Sequence, residues 1–481
     1  MSIPLRLSLI IVKGIFVVVA VFALFSNAAQ AQLLQLKSWE IDNALAAKKA
    51  DYFNAFKSGN VDSDREGLEK FFDNYYFARW TALEDLGEGQ MVSTGQSQQH
   101  ARELLQDFRD VNGNAREYLL NKSLQTFQKM AADNTVHPSA RYNAILAVGQ
   151  LCQREPTGRN NPPVLYAQAL PYLIAEYQKE NNPQYLKLAA LIGIVRHARV
   201  GITDETMKNQ TVPNLCLTIL RSGKPAQGVD KEDQEMKDWF RQNAMDALAG
   251  LKTVGPNGQT VNALEEILSD ASESIEIRTK AARTLGDLDY QTALAAGTTL
   301  NYQRLGSALI TLMKATCDAE LQTVIQLRDK ARVKQGRGAV APGTVEDDPP
   351  FSAITSPEER IEITGVVQSI KSNVQNVVYG LRGQQFSRSA TQGIQPMLPS
   401  DDAVTQKINA MMNKGVNPLF KKLDEGPAED GTRPRADAGD GRGGKPPGAD
   451  EKLLKVNLLN IRDALQEFSL ELDGIISGAG T

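Results

Sequence analysis

The sequence predicts an all-α protein, and three observations carry that reading. After residue 31 nearly every apolar stripe recurs at steps of three and four, the spacing of one face of a helix. No run of alternating β-branched residues bounded by hairpin turns interrupts it. A pattern of Arg, Ala, Leu and a small residue also returns at fixed offsets, the mark of helix pairs that repeat.

The 481 residues allow two to four folding units at about 100 to 200 residues each, enough for large cores without disulfide staples. Three cysteines exclude a disulfide scaffold, and Cys152, Cys216 and Cys317 read as small buried hydrophobes in apolar helical surroundings. With 53 Lys+Arg against 57 Asp+Glu the net charge is -4, which argues against a nucleic-acid partner.

Residues 1–31 read as a secretory signal. Arg6 and Lys13 precede Gly14–Phe25, 12 uncharged residues, too few for the roughly 20 that span a bilayer. Ala29 and Ala31 form an A-x-A cleavage site, so the mature chain is expected to begin at Gln32, exported to a periplasm or secreted. The alternative is an uncleaved anchor over residues 7–25. No later stretch is apolar enough to span a membrane.

Residues 32–113 are expected to form an N-terminal helical cap. Helices over 38–58 and 62–80 are separated by Ser58-Gly59-Asn60, with Asp62 or Ser63 as N-cap, and a third runs from about 97 to 110. Asn114 and Glu117 make a capping box for a helix closing near Asp133.

Across 114–333 the pattern repeats. Arg141 is followed by Ala144, Val148, Gly149 and Leu151, Arg241 by Ala244, Leu248, Ala249 and Leu251, and Arg278 by Ala281, Leu285, Gly286 and Leu288. A weaker copy starts at Lys187 and has Val195 where the small residue belongs. The small side chain should let a neighbouring helix approach closely. Each copy follows another amphipathic stretch, at 115–132, 164–180, 212–221 and 260–269. Copies lie 46, 54 and 37 residues apart, and the long interval holds a polar insertion, Ser222–Glu235. At IEIRTKAARTLGDLD (275–289) and ARYNAILAVGQL (140–151) the protein resembles the HEAT-repeat family. That resemblance implies a right-handed α-solenoid whose second helices line a concave face, and it implies binding rather than catalysis. A helical stretch over 299–333 is expected to cap the array.

Residues 334–357 read as a loop and 358–423 as C-terminal helices, near 358–382 and 402–413. Residues 424–450 have no apolar side chain larger than alanine apart from proline and read as a disordered linker. A terminal amphipathic helix follows over 451–476. Ile363, Val367, Ile370, Val374, Val377 and Leu381 form one heptad stripe, and Leu454, Leu458, Ile461, Leu465, Phe468, Leu472 and Ile475 another. The last helix is expected to fold back along the first stripe, with self-association through it as the alternative.

Chemistry is mostly excluded. His100, His137 and His197 are far apart and no HExxH or CxxC occurs, so neither a metal nor any other cofactor is predicted. Gly439–Lys445 fits the phosphate-loop spacing, but Pro446 stands where Ser or Thr must be, and no strand precedes it. No GxSxG elbow exists. Two clusters remain. Tyr52–Trp80 is dense in aromatics and reads as a core stripe or as a partner surface through Tyr75, Tyr76 and Trp80. Arg196, His197 and Arg199 end a helix, where positive charge suits the macrodipole, or they grip an acidic partner. The expectation is a non-enzymatic exported scaffold with a protein partner. An enzyme or small-molecule carrier built on the aromatic helices is the alternative.

Overall fold

The computed structural model describes residues 36–59, 62, 64–85, 91–93, 96–109, 111, 113–156, 161–225, 228, 230–334, 357–383, 393–425 and 458–478. The signal segment, the phosphate-loop match and the body of the 424–450 linker lie outside them. The protein divides into two compact units, 1–208 and 209–481, and the described residues are overwhelmingly helical.

The first unit opens with an extended strap, residues 36–42, rather than with a helix from 38. Trp39 pins it: its backbone N–H donates to Thr81 Oγ1 at 2.8 Å and its indole Nε1 to Asp133 Oδ2 at 3.0 Å. A 3-10 turn, Asn43–Lys48, leads into α1 (Lys49–Lys57), and α2 (Arg65–Phe71) follows. The N-cap of α2 is Asp64, not Asp62 or Ser63, because its carboxylate accepts from Gly67 N at 3.0 Å and from Tyr52 Oη at 3.0 Å. The expected helix over 62–80 is broken into α2, a π turn (Phe72–Tyr76) and a 3-10 turn (Ala78–Thr81). A short hairpin, β1 (Leu83–Asp85) with β2 (Met91–Ser93), precedes α3 (Ser97–Arg109).

Two helix pairs complete this unit: α4 (Gly113–Ala132) with α5 (Pro138–Val148), and α6 (Ala169–Gln178) with α7 (Gln184–Val200). A second hairpin, β3 (Cys152–Arg154) with β4 (Val164–Leu165), joins the pairs, so Cys152 is in a strand and not in a helix. Its pairing replaces the first turn expected of a helix from 164. Both hairpins are too short for alternation to show in the sequence. The second helices α5 and α7 pack on each other where a side-chain carbon on Gly149 would lie 2.7 Å from Gly193 Cα. The weak copy therefore does carry its small residue, two positions before Val195.

In the second unit α8 (Val212–Ser222) pairs with α9 (Lys231–Leu251), and α10 (Gln259–Ser269) with α11 (Ile275–Asp287). Again the second helices, α9 and α11, pack together. The polar insertion is only partly loop, since Lys231–Glu235 open α9, with Glu232 and Asp233 in the first turn where acids favour a helix. That extension changes the repeat's arginine. Arg141 Nε donates to Ala131 O at 2.9 Å and Arg278 Nε to Leu268 O at 3.0 Å, each closing the last turn of the helix before it. Ten residues before Arg241 lies Lys231, inside the same helix. Arg241 instead forms a buried pair with Glu273, at 2.7 and 2.6 Å.

After α12 (Tyr290–Ala295) the long α13 (Tyr302–Lys334) packs on α10 and α11. Helix α14 (Pro357–Arg382) lies against α11 and α13. Gly286 and Gly380 make that contact: a side-chain carbon on Gly286 would collide with the Tyr379 carbonyl, and one on Gly380 would lie 2.5 Å from Ala282 O. Gly286→Leu should therefore destabilise the unit by about 1–3 kcal/mol through overpacking, read as a lowered thermal midpoint. An unchanged midpoint would remove Gly286 from the contact. Register is fixed further by a buried network in which Asn373 Nδ2 donates to Glu320 Oε1 at 2.7 Å and Thr279 Oγ1 to Asn373 Oδ1 at 3.0 Å.

The last elements are α15 (Ala403–Met411), a π turn (Met412–Val416), α16 (Asn417–Glu425) and α17 (Leu458–Ser477). Helix α17 does fold back, but onto α13, α15 and α16, not along α14. The α14 stripe is consumed by α11 and α13. Of this stripe Ile461, Leu465, Phe468, Leu472 and Ile475 are buried within the unit, while Leu454 lies outside the described residues.

Candidate functional site

The aromatic cluster is a core. Phe53, Phe56, Phe71, Phe72, Tyr76, Phe77 and Trp80 are all buried, and Trp80 lies on Phe127 with ring centroids 4.7 Å apart. The π turn spends one extra residue per turn, which brings Phe71, Phe72, Tyr76 and Phe77 inward together. Among the proposed partner residues of this cluster only Tyr75 keeps part of its ring at the surface, where the Arg79 guanidinium stands 5.5 Å from its centroid.

Charge gathers on one side of this core. His100, Glu103 and Asp107 occupy one face of α3 by their i, i+3, i+7 spacing. Tyr76 Oη donates to Asp107 Oδ2 at 2.7 Å, Lys49 Nζ lies 3.1 Å from the same oxygen, and Arg79 lies 2.8 Å from Glu103 Oε2. His100 Nδ1 stands 3.8 Å from Glu103 Oε2. Burial, then the Asp107 charge, pushes the Tyr76 phenol well above its ordinary value. Burial opposes ionisation of Glu103, but Arg79 and Lys49 outweigh it and hold its carboxyl low. Burial, followed by Arg79, drives His100 down to about 4. Each carboxylate thus already faces a cation, the phenol keeps its proton, and the imidazole is a weak base at neutral pH. Trp80 Nε1 and His100 Nδ1 are buried without a hydrogen-bond partner. Among the described residues no three His, Cys, Asp or Glu side chains converge to hold a metal.

Arg196, His197 and Arg199 do not form one patch. His197 is 3% exposed and turned inward, whereas Arg196 is half-buried, with NH2 3.8 Å from Cys152 Sγ, and Arg199 is exposed. Burial, then Arg196, lowers His197 to about 4. Cys152, Cys216 and Cys317 are free and buried, and burial raises all three thiols, so none is an activated nucleophile.

The three histidines of the first unit are all lowered, His100 and His197 to about 4 and His137 in the same direction by burial, and they make that unit acid-sensitive. Their folded-state values lie below the unfolded value near 6.5, so the stability held by the neutral rings is complete above that pH. It is lost as pH falls from 6.5 toward about 4. For each ring lowered to about 4 the loss should reach about 3 kcal/mol at most. His197→Leu should flatten the fall in thermal midpoint across this window. An equal slope in the variant would show that His197 is not part of it.

Sequence reading missed Lys49, Arg79, Glu103 and Asp107. The spacing on α3 was a usable signal for the acids, but nothing local marked the two cations that meet them. It also missed the surface of the second helices in unit two. There Lys280 Nζ lies 2.5 Å from Asp246 Oδ1, and Arg283 stands 5.3 Å above the Tyr379 ring and donates to Asn376 Oδ1 at 3.3 Å. Tyr379 Oη donates to Asp287 Oδ1 at 2.6 Å. These residues run across α9, α11 and α14 as a polar ladder.

No family model matches the protein, and neither a curated protein nor a solved structure matches it. No helix among the described residues is long and apolar enough to cross a membrane.

Proposed function

We propose that the protein is an exported, HEAT-like α-solenoid scaffold that binds a protein partner in the cell envelope or periplasm and catalyses nothing itself. The observation that carries this is the packing of second helix on second helix: α5 on α7 in one unit and α9 on α11 in the other, with α14 laid against α11. Helix pairs stacked this way bury one continuous core and leave a surface of second helices for a partner. The polar ladder of Asp246, Lys280, Arg283 and Tyr379 gives that surface the mixed charge and aromatic character suited to a protein rather than a small apolar ligand. Because the N-terminal aromatics pack on one another, they favour the scaffold over a carrier built on them.

The test uses residues 32–481 as bait in an envelope fraction, beside the same protein with Lys280→Glu and Arg283→Glu. A partner retained by the first and lost by the second supports the scaffold. A metabolite that stabilises the protein thermally, with the effect lost on Tyr76→Ala, would replace it with the carrier. For export, the mature form should begin at Gln32 by mass spectrometry.

A further inference from the structure

Strain in the described backbone is concentrated in one loop. Lys252 (φ 59°) and Asn257 (φ 52°) are the two described non-glycine residues with positive φ, and both lie between α9 and α10, with Gly255 (φ 74°) and Gly258 (φ 72°). Asn257 is exposed, and its carboxamide makes no hydrogen bond to another described residue. The next residue is Gly258, which has no Cβ to obstruct its own nitrogen. Gly258 is buried and its N–H is held by a single bond, to Gly255 O at 3.1 Å, so solvent reaches that proton when this one bond opens. Both ends of the loop are anchored independently, by Thr260 N to Val254 O at 3.1 Å and by Asp289 N to Lys252 O at 2.8 Å. Asn257 can therefore rotate its backbone and side chain so that Cγ approaches the Gly258 nitrogen, at the cost of one hydrogen bond and with relief of a left-handed conformation, while the helices stay in place.

We propose that Asn257 is a site of spontaneous covalent modification, converting to isoaspartate and aspartate in the folded protein. Solvent base takes the Gly258 amide proton, the nitrogen attacks Asn257 Cγ, and the carboxamide Cγ–Nδ2 bond breaks with loss of ammonia to leave a succinimide. Water opens the ring at either carbonyl. The sum is one water consumed and one ammonia released, with no oxidation or reduction, and a new carboxylate on the loop. When the ring opens to isoaspartate, the backbone gains a methylene. That added length falls between the Val254 and Thr260 anchor and the first turn of α10, beside Leu300, whose side chain must shift to take it. The start of α10 should then loosen, so the site marks the age of the molecule in the joint between two helix pairs. This inference does not depend on the scaffold reading.

The full-length protein is incubated at mildly alkaline pH and mapped by peptide mass spectrometry with isoaspartate methyltransferase labelling, beside a urea-unfolded sample. The expected result is the mass gain of an NH2-to-OH exchange at Asn257 in the folded sample, with isoaspartate labelling and a rate that rises with pH. Asn257→Gly, which suits the left-handed position, should keep the thermal midpoint and abolish the labelling there. Modification of Asn257 in the unfolded sample with none in the folded one overturns the proposal, as does labelling of the same peptide that persists in Asn257→Gly.

Discussion

Arg241→Met, with Glu273 left in place, should cost the second unit about 3–5 kcal/mol, because it leaves a carboxylate buried without its cation. The Arg241 side chain is 0% exposed and that of Glu273 1%, and the guanidinium meets both carboxylate oxygens in a fork. Asp238 adds a third contact at 3.3 Å. The aliphatic part of the arginine lies against Gly223, where a side-chain carbon would come within 2.5 Å of Arg241 Cδ. Methionine keeps much of that packing and removes the charge, which isolates the electrostatic part. The double variant Arg241→Met with Glu273→Leu should recover most of the loss, since an apolar pair needs no partner. Urea midpoints of the parent and the two variants decide it. A single variant within about 1 kcal/mol of the parent would mean that Glu273 finds water or another cation there.

Leu465→Asp should release α17 from α13. Leu465 is 0% exposed, in a stripe with Phe468, whose ring occupies the space that a side chain at Gly415 would need. Truncating a buried leucine alone costs about 2–5 kcal/mol, and burying an unpaired carboxylate adds to that. The polar contacts along the helix are too few and too weak to hold it by themselves. Lys422 to Glu467 at 2.5 Å is a surface pair, and Ser469 Oγ to Asp318 Oδ1 at 2.6 Å is a single hydrogen bond. Protease should then cut within 458–477 in the variant while the parent resists, with the protein monomeric in both by light scattering. Equal resistance would show that α17 is held without its stripe, and a parent that dimerises through α17 would contradict the intramolecular packing.

The all-α class, the four helix pairs and most of their boundaries were legible in the sequence, because amphipathic spacing is local and survives without knowledge of the partner. The core role of the Tyr52–Trp80 aromatics was one of the two readings their density offered, and the π turn that brings them inward together was not legible. The need for a small residue at Gly149 and Gly286 was legible too. What would approach them was not. Gly149 meets Gly193 in the next pair, but Gly286 meets Tyr379, more than ninety positions away in the sequence, because a small residue specifies close approach and not which helix makes it. Heptad stripes in α14 and α17 look complementary yet have different partners, since a stripe specifies apolar width and not which neighbour fills it. The divergence of Arg241 from Arg141 and Arg278 has the same origin. One side chain with five donors closes a helix end where one lies ten residues back, and takes a buried carboxylate where the helix has been extended past that point. Local pattern thus determined which faces are buried, and tertiary packing alone decided what each face is buried against, because apolar and steric complementarity are non-directional until the backbone has closed on itself.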